Sequence, residues 1–137
     1  MLKEIFEQPK VVRDCLVGCI QRGRVTLPEL EDMPVPDRLT IVVCGTSYHA
    51  GLWAKYLLEA WARIPVQVEI ASEFRYRDSV FLPGDTVLTI SQSGETADTL
   101  AAIRIARKAG TPILGLCNVI NSSITTQIGR ASCRERV

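Results

Sequence analysis

The opening stretch of the chain carries a helical stripe and then loses it. Ile5, Val12, Leu16, Cys19 and Ile20 recur at helical spacing, which predicts a helix over 3–22 whose regular part begins near Pro9 and which Gly23 ends. Residues 25–38 hold Pro28, Pro34 and Pro36 among acidic side chains, a spacing that suits an extended connector. From Leu39 the texture changes. Leu39 to Cys44 (LTIVVC) is a continuous apolar run with β-branched residues, the pattern of a strand covered on both faces. Gly45-Thr46-Ser47 follows, and then 50–62 places Trp53, Tyr56, Leu57, Ala60 and Trp61 at helical spacing. The succession recurs as a strand over 66–70 with a short helix near 72–76, a strand over 86–90 with a helix over 95–109, and a strand over 113–117. Strand and helix alternate throughout, which predicts an α/β fold, a parallel sheet flanked by helices.

The helix over 95–109 is the best marked of these elements. Glu95 and Asp98 fall in its first turn, Arg104, Arg107 and Lys108 near its last, and Gly110 with Pro112 closes it, so the charges complement the helix dipole.

Composition narrows the class. The chain has 137 residues, 47% of them hydrophobic, enough for one domain with a sizeable core. Its 16 Lys+Arg against 15 Asp+Glu leave a net charge of +1, which argues against a basic face for nucleic acid or an anionic membrane. No apolar run is long enough to span a bilayer, and the start, Met1-Leu2-Lys3-Glu4, lacks the features of a signal peptide, so a cytoplasmic protein is expected. The five cysteines, Cys15, Cys19, Cys44, Cys117 and Cys133, contain no CxxC pair. With His49 the single histidine, neither a disulfide framework nor a metal site is indicated, and no cofactor is expected.

Candidate chemistry lies at two strand ends. In an open α/β sheet, ligands bind at the carboxyl ends of the strands near the point where strand order reverses. Cys44-Gly45-Thr46-Ser47 follows the first strand and Ser91-Gln92-Ser93-Gly94-Glu95-Thr96 the third, and each opens a helix. Free backbone N–H groups, the positive end of a helix dipole and several hydroxyls would converge there, which is an anion cradle. It contains no lysine or arginine and matches neither GxxxxGK[ST] nor GxGxxG. A single phosphate held by neutral groups beside a polyol fits better, with Thr46 and Gln92 bonding sugar hydroxyls, so a sugar phosphate is the predicted ligand. The plainer alternatives are that Ser93 is an ordinary N-cap, that His49 is a partly exposed imidazole and Cys44 a core thiol, that Trp53, Tyr56 and Trp61 are core or interface aromatics, and that Glu73 to Asp78 is a solvated or subunit-facing helix.

Three segments carry a family resemblance: Cys44-Gly45-Thr46-Ser47-Tyr48-His49-Ala50, Glu69 to Arg77 (EIASEFRYR), and Ser91-Gln92-Ser93-Gly94-Glu95-Thr96-Ala97-Asp98-Thr99. In this order they resemble the first sugar-isomerase (SIS) lobe of the glutamine:fructose-6-phosphate aminotransferase family, and Met1 to Pro9 resembles the start of that family's synthase half. The resemblance implies a Rossmann-like three-layer α/β/α sandwich, incomplete at the C-terminus, and the conversion of fructose 6-phosphate and glutamine to glucosamine 6-phosphate and glutamate. It implies that Ser47, Ser91, Gln92, Ser93 and Thr96 hold the phosphate and that Cys44, Gly45 and Thr46 lie beside the sugar. A glutaminase domain and a second SIS lobe would be partners on the same chain, and the whole enzyme would be a homodimer. The general acid and base of the isomerisation match no residue of this chain, so catalysis by it alone is not expected. A phosphosugar-sensing SIS module of a regulator and a phosphosugar isomerase are the competing readings. Against the first, residues 1–38 show one helix and a Pro-rich connector rather than a helix-turn-helix.

The expected organisation is therefore an N-terminal helix and connector over 1–38, a truncated SIS domain over 39–127 and a tail over 128–137. Ile128 to Val137 (IGRASCRERV) fits no element of the lobe and resembles a sequencing adapter read in frame, with Met1 then an internal methionine of a longer enzyme. Without that tail, which holds Arg130, Arg134, Arg136 and Glu135, the net charge would change from +1 to −1.

Overall fold

The computed structural model of the chain describes residues 2–128 and the backbone of 131–133. It contains two compact units, divided between Met33 and Pro34.

In the first unit, helix α1 spans Leu2–Leu16, starting earlier and ending earlier than the apolar stripe predicts. Pro9 lies inside it and removes one intrahelical bond, but the residues before Pro9 are good helix formers and Lys3 pairs with Glu7 one turn on (3.8 Å). Gly18, with φ +82°, stops the helix in place of Gly23. The remainder of the predicted helix is a small hairpin, β1 (Ile20–Gln21) antiparallel to β2 (Arg24–Val25), turning through Arg22 and Gly23, both at positive φ. Within the predicted connector, Pro28–Leu30 forms one 3-10 turn.

The second unit is a parallel sheet. Its strands are β3 (Arg38–Val43), β4 (Val66–Ile70), β5 (Asp85–Ser91), β6 (Ile113–Cys117) and β7 (Ala131–Cys133), in the spatial order β4-β3-β5-β6-β7. The helices between them are α2 (Ser47–Leu57, continued by a π turn over Leu58–Ala62), α3 (Ala71–Phe74), α4 (Ala97–Lys108) and α5 (Ser123–Ile128). The apolar run of β3 is covered on both faces, as its composition predicts. Leu39, Ile41 and Val43 pack with Val66 beneath Tyr48, Ala54 and Leu58, while Val42 packs on the opposite face with Val87, Phe74, Ala102 and Ala106. Gly51 brings α2 close to the sheet: a Cβ there would lie 3.1 Å from Val68 Cγ1 and 3.3 Å from Ile41 Cγ2.

Several expectations need correction. Of the two readings of Trp53, Tyr56 and Trp61 as core or interface aromatics, the core one fails: they are 69%, 68% and 79% exposed, because the inward face of α2 is formed by Tyr48, Gly51, Ala54 and Leu58. The Glu73 to Asp78 run is not uniformly solvated: Phe74 is 1% exposed in the core, while Tyr76 is 81% exposed. Helix α4 begins at Ala97, not at Glu95, since Thr96 is extended (φ −67°, ψ +119°). Within the expected tail, Ile128 ends α5 and the backbone of Ala131–Cys133 pairs with β6. Residues 129, 130 and 134–137 lie outside the described residues.

Candidate functional site

The sheet order reverses between β3 and β5. The chain leaves β3 through α2 to reach β4 on one side, then crosses back through α3 to β5 on the other. In a doubly wound sheet of this order the crevice at the carboxyl ends of those two central strands is where ligands bind. Val43 pairs in register with Ile90 there, so the loops that follow, 44–46 and 92–96, leave the sheet side by side. All eight residues predicted to contact a sugar phosphate, Cys44, Gly45, Thr46, Ser47, Ser91, Gln92, Ser93 and Thr96, lie on these two strand ends and the helix starts beyond them.

The first loop is short. Gly45 takes a left-handed φ of +60°, and α2 begins at Ser47, with the Tyr48 N–H donating to the Gly45 carbonyl (3.1 Å) and the His49 N–H to that of Thr46 (3.2 Å). Cys44 is half-buried against the core, while Gly45, Thr46 and His49 are exposed. The second loop turns on itself. The Ser91 hydroxyl accepts from the Gly94 N–H (3.0 Å), and the Ser93 hydroxyl from the Glu95 N–H (3.2 Å). Ser93 is therefore not the cap of α4. Thr46 and Thr96 occupy the positions where capping hydroxyls of α2 and α4 would sit, and neither side chain makes a capping bond. The first-turn N–H groups of both helices are thus not used up by these side chains.

No lysine or arginine lies on either loop. The guanidinium of Arg75, at the end of α3, reaches the first turn of α4 but is paired there with Asp98 (2.6 Å). A shallow cavity of about 230 Å³ lined by Arg38, Thr40, Gln67 and Phe74 lies on the α3 side of the sheet toward the amino ends of β3 and β4, away from these loops. Strand-end geometry, not that cavity, marks the candidate site. Among the described residues, no group of three His, Cys, Asp or Glu side chains could hold a metal ion, and no helix is long and apolar enough to cross a membrane.

Behind the second loop stands a segment that sequence reasoning did not connect to it. The Gly94 carbonyl accepts from the Ile124 N–H (3.0 Å), and the Glu95 carboxylate accepts from both the N–H (2.7 Å) and the hydroxyl (2.6 Å) of Ser123. Those bonds hold the Glu95 carboxyl below the ordinary glutamate range. Buried Ser122 and Cys117 sit close together (Sγ to Oγ 3.5 Å), with the Cys117 thiol 3.8 Å from the Gln92 carbonyl. Gly94 has φ +69°, and a Cβ there would collide with the Ser122 side chain and lie 2.8 Å from Cys117 Sγ. The usable signal was topological: β6 neighbours β5, so the loop after β6 must flank the loop after β5.

Strands β3 to β6 and the two strand-end loops fall within residues 35–129, which the SIS domain model matches; the chain belongs to the SIS domain family. Within that family it is 52% identical over 130 residues to the glutamine--fructose-6-phosphate aminotransferase [isomerizing] of Chlorobaculum tepidum, and 54% identical over 130 residues to that of Bacteroides thetaiotaomicron. Each match covers 90% of this chain and 21% of the relative, so the chain spans about a fifth of the length of the curated relatives it matches. Among solved structures, the C-terminal domain of glucosamine-fructose-6-phosphate aminotransferase from Francisella tularensis superposes with a TM-score of 0.86 at 43% identity, over 95% of this chain and 37% of that one.

Proposed function

We propose that the chain is the sugar-phosphate-binding lobe of a glutamine:fructose-6-phosphate aminotransferase, with Ser47, Ser91, Gln92, Ser93 and Thr96 around the phosphate and Cys44, Gly45 and Thr46 beside the sugar. The observation that carries this reading is the pairing of two hydroxyl-rich loops, each opening a helix, at the carboxyl ends of adjacent strands β3 and β5. Neutral donors at two helix N-termini suit one phosphate monoester, and the exposure of Thr46 and Gln92 supports a role for both in bonding sugar hydroxyls, Gln92 in addition to its part at the phosphate. The identity to aminotransferases of that name supports the choice of fructose 6-phosphate as substrate and glucosamine 6-phosphate as product. In the whole enzyme a glutaminase domain releases ammonia, and a second SIS lobe supplies the acid and base of isomerisation. That enzyme works as a cytoplasmic homodimer, and the lobe alone binds weakly without catalysing.

The experiment is an NMR titration of the isotope-labelled chain with fructose 6-phosphate, inorganic phosphate and fructose. Amide shifts at 45–47 and 92–97 with the two phosphates, weaker with fructose, are the expected result. Ser93→Ala combined with Thr96→Ala should abolish them, and an unchanged affinity in that double variant overturns the assignment.

A further inference from the structure

Glu95 presents an electrostatic problem that the phosphosugar reading does not solve. It lies between Ser93 and Thr96, two residues placed around the phosphate, and a carboxylate beside a phosphate disfavours binding. A first-turn role in the helix dipole does not account for it, because α4 begins two residues later. Both oxygens of its carboxylate are instead bonded to Ser123, 28 residues on in the chain. The bond pair is part of a seam. One residue earlier, the Gly94 carbonyl accepts from the Ile124 N–H, and Gly94 itself lies against Ser122 so closely that no side chain fits.

We propose that Glu95 is a positioning residue of the cradle: its carboxylate latches the loop after β5 to the segment that opens α5, and so fixes Ser93 and Thr96 in the geometry that takes a phosphate. The proposal rests on the phosphosugar reading above and adds to it a residue that does not touch the ligand. Two charge-assisted bonds hold the carboxylate on the α5 side of the loop. Without them the loop keeps the Gly94 to Ile124 bond and the weak contact of the Cys117 thiol with the Gln92 carbonyl, and the anion meets a less firmly held hydroxyl pair with an unengaged carboxylate between them.

The latch is ionisable. The titratable groups near it are Asp98, paired with Arg75, and Arg104, Arg107 and Lys108 on α4, the Cys117 thiol on β6, and Cys44, Tyr48 and His49 on the neighbouring loop and first turn of α2; α5 carries none, and Ser123 is bonded to the Glu95 carboxylate itself. The Ser123 amide should therefore report the ionisation of Glu95.

The test uses the 137-residue chain, fructose 6-phosphate and inorganic phosphate as probes, and amide NMR as readout. The Ser123 amide resonance is expected to titrate with a midpoint below the ordinary glutamate range, and to lose that titration in Glu95→Gln. Fructose 6-phosphate affinity should fall about tenfold in Glu95→Ala. It should fall less in Glu95→Gln, which keeps one acceptor, and Ser123→Ala added to Glu95→Ala should cost nothing more. Sheet amide protection should be unchanged in all of them. Affinity that is unchanged or tighter in Glu95→Gln would mean that Glu95 acts only as a nearby like charge, and would overturn the proposal while leaving the phosphosugar reading in place. Additive effects of the Glu95 and Ser123 substitutions would overturn it equally. Failure of the unmodified chain to bind either phosphate, with the Ser123 titration intact, would instead overturn the phosphosugar reading and take the cradle role of the latch with it.

Discussion

Arg38 and Asp85 face each other across the amino ends of β3 and β5, with Nε to Oδ1 at 3.0 Å and Nη2 to Oδ2 at 2.5 Å. The same carboxylate accepts from the Leu82 N–H at 2.7 Å. This two-pronged pair joins the two central strands at the end of the sheet opposite the candidate site, so it bears on stability and not on ligand.

That pair gives the fold an acid-sensitive fastening. The hydrogen bond and charge of Arg38 hold the Asp85 carboxyl below the ordinary range. A depressed folded-state pKa contributes stability above the unfolded value of about 3.9 and loses it as pH falls through the folded value. Asp85→Asn should cost about 1–2 kcal/mol at pH 7, since the Arg38 end is solvent-screened and much of the loss falls on the buried acceptor. Urea unfolding at a series of pH values should show the gap between the two proteins closing below about pH 4; a gap that stays constant would contradict the assignment.

Thr89 presents the opposite case. It is fully buried in β5, and its hydroxyl has no hydrogen-bond partner. Thr89→Val keeps the shape and β-branching while removing an unpaired polar atom, so stability should rise by up to about 1 kcal/mol. A loss in urea unfolding would reveal a partner for that hydroxyl.

The strands were legible because their cause is local. Val66–Ile70 and Ile113–Cys117 fall on the predicted bounds, since short apolar β-branched runs between turn residues leave few other assignments. The two strand ends of the candidate site follow from the same alternation. What the sequence hid was decided at a distance. The start of α4 was misplaced because Glu95 looks like a first-turn acid, while its actual partner is Ser123. The two-residue strands β1 and β2 are too short to show a period. The aromatic stripe of α2 outweighed the small residues Gly51 and Ala54, which are the ones that let the helix approach the sheet.

Gly51 therefore makes a sharp test of how α2 sits. An added Cβ would be 3.1 Å from Val68 Cγ1, closer than ordinary contact, and Gly51→Val adds two more carbons to that space. The variant should lose about 1–3 kcal/mol despite removing a helical glycine. Because α2 opens on Ser47, lifting it from the sheet should also weaken fructose 6-phosphate binding at 45–47, which the same NMR titration reads. A variant as stable as the parent would mean that the helix can shift outward freely.

Gly45 and Gly94 separate backbone conformation from crowding, since both have left-handed φ, +60° and +69°, yet only one has neighbours. Around Gly45 a Cβ would meet nothing within 4 Å, so Gly45→Ala should cost only the conformational penalty, about 1 kcal/mol. At Gly94 the same change drives a methyl into Ser122 and Cys117, and overpacking adds about 1–3 kcal/mol to that penalty. The extra cost falls on the seam that ties the second loop to α5, so Gly94→Ala should also expose the Ser123 and Ile124 amides to faster hydrogen exchange, whereas Gly45→Ala should not. Combining Gly94→Ala with Ser122→Gly vacates the colliding side chain and should recover part of the loss. Equal costs for the two glycine substitutions, or no recovery in the pair, would show that the loop after β5 is not held against the segment after β6 in the way these contacts describe.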